Sequence, residues 1–196
     1  AMMLACDFGL LQLAQWLHAT FHTTASDVRR VRNFLANVLD GGRLHIAQWL
    51  HATFELTILD LRAYNNEAMW NACRDGHLHV VQWLHTTFGL PGGAYAQGAL
   101  RVACRGGHLP VAQWLHTTFG LTSQDVRTHC NRALFGACKN GHLHVTQWLH
   151  TTFKLTAEDV QAKCNRAFWV ASKNGHLHVA QWLHSTFMTT QVTQCM

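Results

Sequence analysis

The chain has 196 residues, a hydrophobic fraction of 48%, a charged fraction of 13% and a net charge of +5 with its 16 histidines neutral. That is ample for a buried core, and no apolar run reaches the ~20 residues a membrane span needs, so no contact with a membrane is expected. The 15 Lys and Arg are spread along the chain, which argues against a dedicated nucleic-acid binder with its dense basic patch and favours acidic partners in a general way.

One phrase, Gly-His-Leu-His-Val-x-Gln-Trp-Leu-His-x-Thr-Phe, recurs six times with variations. It opens Gly-Leu-Leu-Gln-Leu at Gly9 to Phe21 and Gly-Arg-Leu-His-Ile at Gly42 to Phe54. It is nearly full at Gly76 to Phe88, carries Pro110 at Gly107 to Phe119, and is fullest at Gly141 to Phe153 and Gly175 to Phe187. The Trp residues at 16, 49, 83, 114, 148 and 182 are spaced by 33, 34, 31, 34 and 34. A fixed period of this length predicts a solenoid, in which each unit buries its apolar face only on its neighbours. The units run roughly over 1–30, 31–62, 63–91, 92–127, 128–161 and 162–196. The first begins mid-unit, as a fragment of a longer array would.

The fifth unit shows the pattern. Asn131 to Asn140 reads as a short helix, with Asn131 as N-cap, Gly141 as the stop, and Ala133, Leu134, Ala137 and Cys138 on one face. A second helix follows over about His142 to Phe153. Leu143, Thr146, Leu149 and Phe153 form its stripe, and Val145, Trp148 and Thr152 widen it. The connector Leu-Thr-x-x-Asp-Val, at Leu121–Val126 and Leu155–Val160 and more weakly around Thr24–Asp27 and Thr57–Asp60, is an N-terminal capping pattern that predicts a further helical turn. Gly89-Leu-Pro-Gly-Gly93 is shorter by three residues and cannot cap in the same way, so altered stacking is expected over 89–98.

Of seven cysteines, Cys6, Cys73, Cys104 and Cys138 share one repeat position, and Cys130 and Cys164 another. Stacked helices lie roughly 8–10 Å apart, beyond the ~7 Å Cα separation a disulfide tolerates. Buried free thiols and an intracellular, cytoplasmic setting are therefore expected.

Ala72-Cys73-Arg74-Asp75-Gly76-His77-Leu78-His79-Val80-Val81, repeated as Ala103–Ala112, Ala137–Thr146 and Ala171–Ala180, resembles the ankyrin repeat, in a divergent form like the arrays of giant viruses and protists. The resemblance covers nearly the whole chain and implies an all-α, ankyrin-like solenoid of about six stacked helix pairs with helical or looped connectors. Two features depart from it. Ala68, Ala99, Ala133 and Ala167 stand where the family has Pro, and Phe-x-Leu-Thr-x-x-Asp-Val replaces the segment leading to the family's hairpin.

Three sets of residues are candidates for chemistry. The pairs His77/His79, His142/His144 and His176/His178 suggest metal, but residues two apart on a helix do not face each other, and a defined site needs three or four converging ligands. The first of each pair is expected in the turn, bonded to backbone. A histidine after Trp-Leu occurs in every unit (His18, His51, His85, His116, His150, His184) and is expected as a structural ladder bonded to Thr or connector. The Trp row is expected in the core rather than as a base-stacking platform. Trp70, Phe135 and Trp169 are expected to plug between units.

After the Ala-Cys step stand Arg74-Asp75, Arg105-Gly106, Lys139-Asn140 and Lys173-Asn174. The ankyrin resemblance places these on the concave, partner-touching face, together with Asn71, Val102, Gly136 and Val170 one turn earlier. Four cations in register form a stripe suited to an acidic protein surface, although Lys and Arg also favour helix C-termini. The expected function is that of a protein–protein scaffold or adaptor with no catalytic centre, no cofactor and no metal. A metal-binding histidine array and a structural spacer are the alternatives.

Overall fold

The computed structural model describes residues 1–31, 34–62, 67–89 and 91–187, with the side chains of 61, 62, 67, 128–130 and 161–166 also outside the description. The expectations for Cys130 and Cys164 therefore lie outside the described residues. All regular structure among the described residues is helical. The chain divides into two compact units, Ala1–Leu90 and Pro91–Met196, where the sequence suggested one array. The division falls in the Gly-Leu-Pro-Gly-Gly segment, where no Thr–Asp pair is available and Gly93 leads into the next helix without a side-chain cap.

The first unit comprises α1 (Met2–Asp7), α2 (Leu11–Phe21), α3 (Ala25–Arg30), α4 (Phe34–Asp40), α5 (Leu44–Phe54), α6 (Ile58–Arg62), α7 (Glu67–Asp75) and α8 (Leu78–Phe88). The pairs α1/α2, α4/α5 and α7/α8 each pack together, and α4 lies against both α1 and α7. The second unit comprises α9 (Ala94–Gly106), α10 (Leu109–Phe119), α11 (Ser123–Lys139), α12 (Leu143–Phe153), α13 (Ala157–Lys173) and α14 (Leu177–Phe187). There α11 packs between α9 and α13, and α12 between α10 and α14.

The core follows the helical period. Ala133, Leu134, Ala137 and Cys138 of α11 are buried, as are Val145, Thr146, Leu149 and Phe153 of α12. Thr146 satisfies its hydroxyl on His142 O at 3.0 Å, back along its own helix. Cys6, Cys73, Cys104 and Cys138 are buried free thiols. Burial pushes Cys73 and Cys138 up to about 12, so they stay protonated and serve as small apolar packing groups.

The turn glycine is demanded twice. Gly141 has φ +79°, and a Cβ there would also come within 2.5 Å of the His176 ring. The connectors cap as expected. Thr24–Asp27, Thr122–Asp125 and Thr156–Asp159 are full capping boxes. In the first unit the capped turn at Thr24 is a separate helix, α3, ended by extended Val31. In the second it runs on into the following helix, so Asn131 is not an N-cap. It lies inside α11, buried, with φ 54°. Asn tolerates that left-handed conformation better than most residues, and here its amide donates to Asp159 O at 2.9 Å.

The tryptophans depart from expectation. Trp49, Trp83, Trp114, Trp148 and Trp182 are half-buried and Trp16 is exposed. They sit at the edge of the apolar stripe because the helix centre is already filled by Val and Leu. Trp169, expected as a plug, is exposed too.

Candidate partner-binding face

The candidate residues fall toward the C-terminal end of α7 in the first unit and toward those of α9, α11 and α13 in the second. Each of these helices carries a basic residue in its last turn, whose charge complements the helix dipole. The four cations do not behave alike.

Arg74 is closed into an ion cluster. Its Nη2 lies 3.1 Å from Asp40 and 2.8 Å from Asp75, and its Nε donates to Asp75 at 2.9 Å. The hydrogen bond from Arg74 holds Asp75 below the usual carboxylate range. Burial, with Asp75 alongside, pushes Asp40 up despite Arg74. Asp40 occupies in its own pair the position that Arg74 occupies in the next, so the row changes sign within the first unit. Arg74 is thus engaged by two carboxylates, Asp40 and Asp75, which removes it from an open basic stripe.

Arg105, Lys139 and Lys173, all in the second unit, are exposed. None of the three makes an ion pair among the described residues. Lys173 instead places its ammonium 4.7 Å from the centre of the Trp169 ring, a cation–π contact. Sequence reasoning missed Trp169 as a surface residue, yet it stands one helical turn before Lys173 on the same face.

The remaining candidates separate by burial and bonding. Asn71 and Val102 are partly exposed, while Gly136 and Val170 are buried and cannot belong to an open face. A Cβ on Gly136 would lie 3.1 Å from Arg105 Cβ, so adjacent first helices touch there. Asn140 and Asn174 are exposed but committed. Their amides reach back to Arg105 O at 2.6 Å and to Lys139 O at 3.1 Å, stitching each pair to the one before.

The histidines form three bonded rows. Of the first members, His176 makes no side-chain bond to the preceding pair among the described residues, while His77 and His142 sit at helix starts and donate Nε2–H to it, to Asp40 O at 3.0 Å and to Arg105 O at 3.1 Å. The second does the same one turn on, His79 to Gly42 O at 3.1 Å, His144 to Gly107 O at 2.9 Å and His178 to Gly141 O at 2.9 Å. The third row uses Nδ1–H on the connector of its own pair, His51 to Leu56 O, His116 to Leu121 O and His150 to Leu155 O, at 2.8 to 3.0 Å. His18 differs from these three, its buried Nδ1 having no hydrogen-bond partner among the described residues. These bonds fix the eight bonded rings as donors to backbone, and among the described residues no three His, Cys, Asp or Glu side chains converge to hold a metal ion.

A second ladder ties the connectors. Arg127 donates to both carboxylate oxygens of Asp159 at 2.8 and 3.0 Å, and Arg29 to Asp60 at 2.8 Å. No helix among the described residues is long and apolar enough to cross a membrane. Compared with protein-family models and with curated proteins, the chain matches none.

Proposed function

We propose that the chain is an ankyrin-like solenoid of six stacked helix pairs that works as a protein–protein interaction module, a scaffold or adaptor. On this reading an acidic partner surface lies along Arg105, Lys139 and Lys173 on the concave face. The observation that carries it is the contrast between equivalent positions. Arg74, itself exposed, is ion-paired with Asp40 and Asp75, whereas the next three cations are exposed and make no ion pair among the described residues, and they repeat with the spacing of the stack. Partly exposed Val102 and the exposed Trp169 ring supply apolar contact beside the charges, the mixture of Arg and aromatic anchors that interfaces favour. The histidine alternative finds less support, because the rings already donate to backbone.

The test is binding by wild type beside an Arg105→Glu, Lys139→Glu chain. Acidic proteins held by wild type in a salt-sensitive way, and released by the double variant at unchanged melting temperature, support the reading. Equal retention by both chains overturns it and favours a spacer.

A further inference from the structure

Three departures from the repeat meet where α9 packs on α11. The connector into α9 is short, so Gly93 stands where the next unit has Arg127. Gly98 stands where the next two units have Arg132 and Arg166, and Arg101 where three other units have Trp70, Phe135 and Trp169. Between α11 and α13, Arg127 fills the space against Asp159 with a two-pronged ion pair. At the equivalent carboxylate, Asp125, the shorter amide of Gln97 donates instead, at 2.7 Å. The missing side chains leave a cleft of about 340 Å³, open to solvent, between Gln97, Gly98 and Arg101 of α9 and Asp125, Arg132 and Ala133 of α11.

We infer that this cleft binds the phosphate group of a phosphate monoester between the guanidiniums of Arg101 and Arg132. Arg101 is half-buried and Arg132 exposed, and neither makes an ion pair among the described residues. The carboxylate in the lining, Asp125, already accepts from Thr122 N at 2.7 Å on one oxygen and from Gln97 on the other. Two positive charges therefore face one negative charge that is occupied by its own donors. Guanidinium forks match the oxygens of phosphate or carboxylate. A phosphate monoester supplies three oxygens and a charge of about −2, enough for both forks, where a carboxylate has two oxygens and one charge. Gly98 and Ala133, both buried, keep the floor clear of larger side chains. The volume is at the lower end for small-ligand sites, which suits a phosphate and a few attached atoms. Arg101 precedes Arg105 by one turn on α9, so the cleft adjoins the candidate partner-binding face, but the site does not depend on a partner lying there.

NMR titration of the full chain at constant pH and ionic strength tests it with three probes, glycerol phosphate, N-acetyl phosphoserine amide and acetate. Saturable amide shifts at Gly98, Arg101, Arg132 and Ala133 are expected with the phosphate probes, with half-saturation at about 1 mM. Arg101→Gln and Arg132→Gln are each expected to weaken binding about tenfold at unchanged melting temperature. Should Arg101→Gln unfold, Arg132→Gln, at an exposed position, decides alone. Arg30→Gln, an equal loss of charge at an exposed site of the first unit, is expected to bind as wild type does. Tighter binding of glycerol phosphate assigns the cleft to a small phosphate ester, and tighter binding of the phosphoserine amide to a phosphorylated side chain. No saturation by either phosphate probe at about 50 mM overturns the inference. So does an equal response to acetate, or binding undiminished by loss of the arginines.

Discussion

The imidazole of His150 meets the ring of Phe187 edge-on, centroids 4.9 Å apart and planes at 81°, across the seam between consecutive helix pairs. The same imidazole donates Nδ1–H to Leu155 O at 3.0 Å, so one side chain closes its own connector and packs the next pair. His150→Ala removes a hydrogen bond and two aromatic contacts and is expected to cost about 2 kcal/mol. Urea unfolding measures it. A loss below about 0.5 kcal/mol, the range of ordinary surface changes, would show that the joint is decorative.

Asp159 joins two devices. Its carboxylate caps α13 through Thr156 N at 2.9 Å and receives Arg127 of the preceding pair. Burial raises its pKa, but the bonds from Arg127 and Thr156 outweigh that and leave it below the ordinary value. The folded carboxylate therefore holds its proton less tightly than the unfolded one. Its stabilisation is present above the unfolded value of about 3.9 and is lost as pH falls through the lower folded value. Asp159→Asn is expected to lower stability at pH 7 by about 1–2 kcal/mol and to flatten the acid limb of a stability–pH curve. An unchanged acid limb would assign that limb elsewhere.

His142 is depressed below 6.5, first by burial and then by the neighbouring His144, His108 and His176, which outweigh its bond to Arg105 O. As pH falls, the unfolded chain takes up this proton first. The stabilisation is full above about pH 6.5 and is lost through the lower folded value. Stability at pH 5.5 is accordingly expected to fall below that at pH 7.5, and His142→Gln to reduce the difference. A variant with the same slope as wild type would remove His142 from the account.

Lys154 ends α12 at φ 49°, where α8 and α10 end on Gly89 and Gly120. A left-handed non-glycine residue costs roughly 1 kcal/mol. Lys154→Gly relieves it against some added freedom in the unfolded chain, and a gain of about 0.5 kcal/mol is expected by thermal or urea unfolding. A loss would show that the Lys154 side chain carries a contact of its own.

The candidate face was only partly legible. Arg105, Lys139 and Lys173 stand open as their repeat position suggested. Arg74 is exposed too but ion-paired, because its fate depends on Asp40, 34 residues earlier, and on the distance between stacked helix ends. Gly136 and Val170 varied between units as surface positions do, yet they are buried. Variation there reflects how closely neighbouring first helices approach, as Gly136 against Arg105 shows.

By itself the sequence determined the helices, their capped starts and glycine stops, and most of the buried stripes, Ala133, Leu134, Ala137 and Cys138 in one helix and Val145, Thr146, Leu149 and Phe153 in the next, while Leu143 and Thr152, also expected there, are only half-buried. These depend on period and local chemistry, which a chain carries without its neighbours. Only the tertiary structure decided the division after Leu90, the fusion of connector and helix at Asn131, and the half-burial of the Trp row. It also decided which cations remain open and where each histidine donates its proton. Each of these turns on a partner one repeat away, where a few ångströms separate a hydrogen bond or ion pair from a solvated charge.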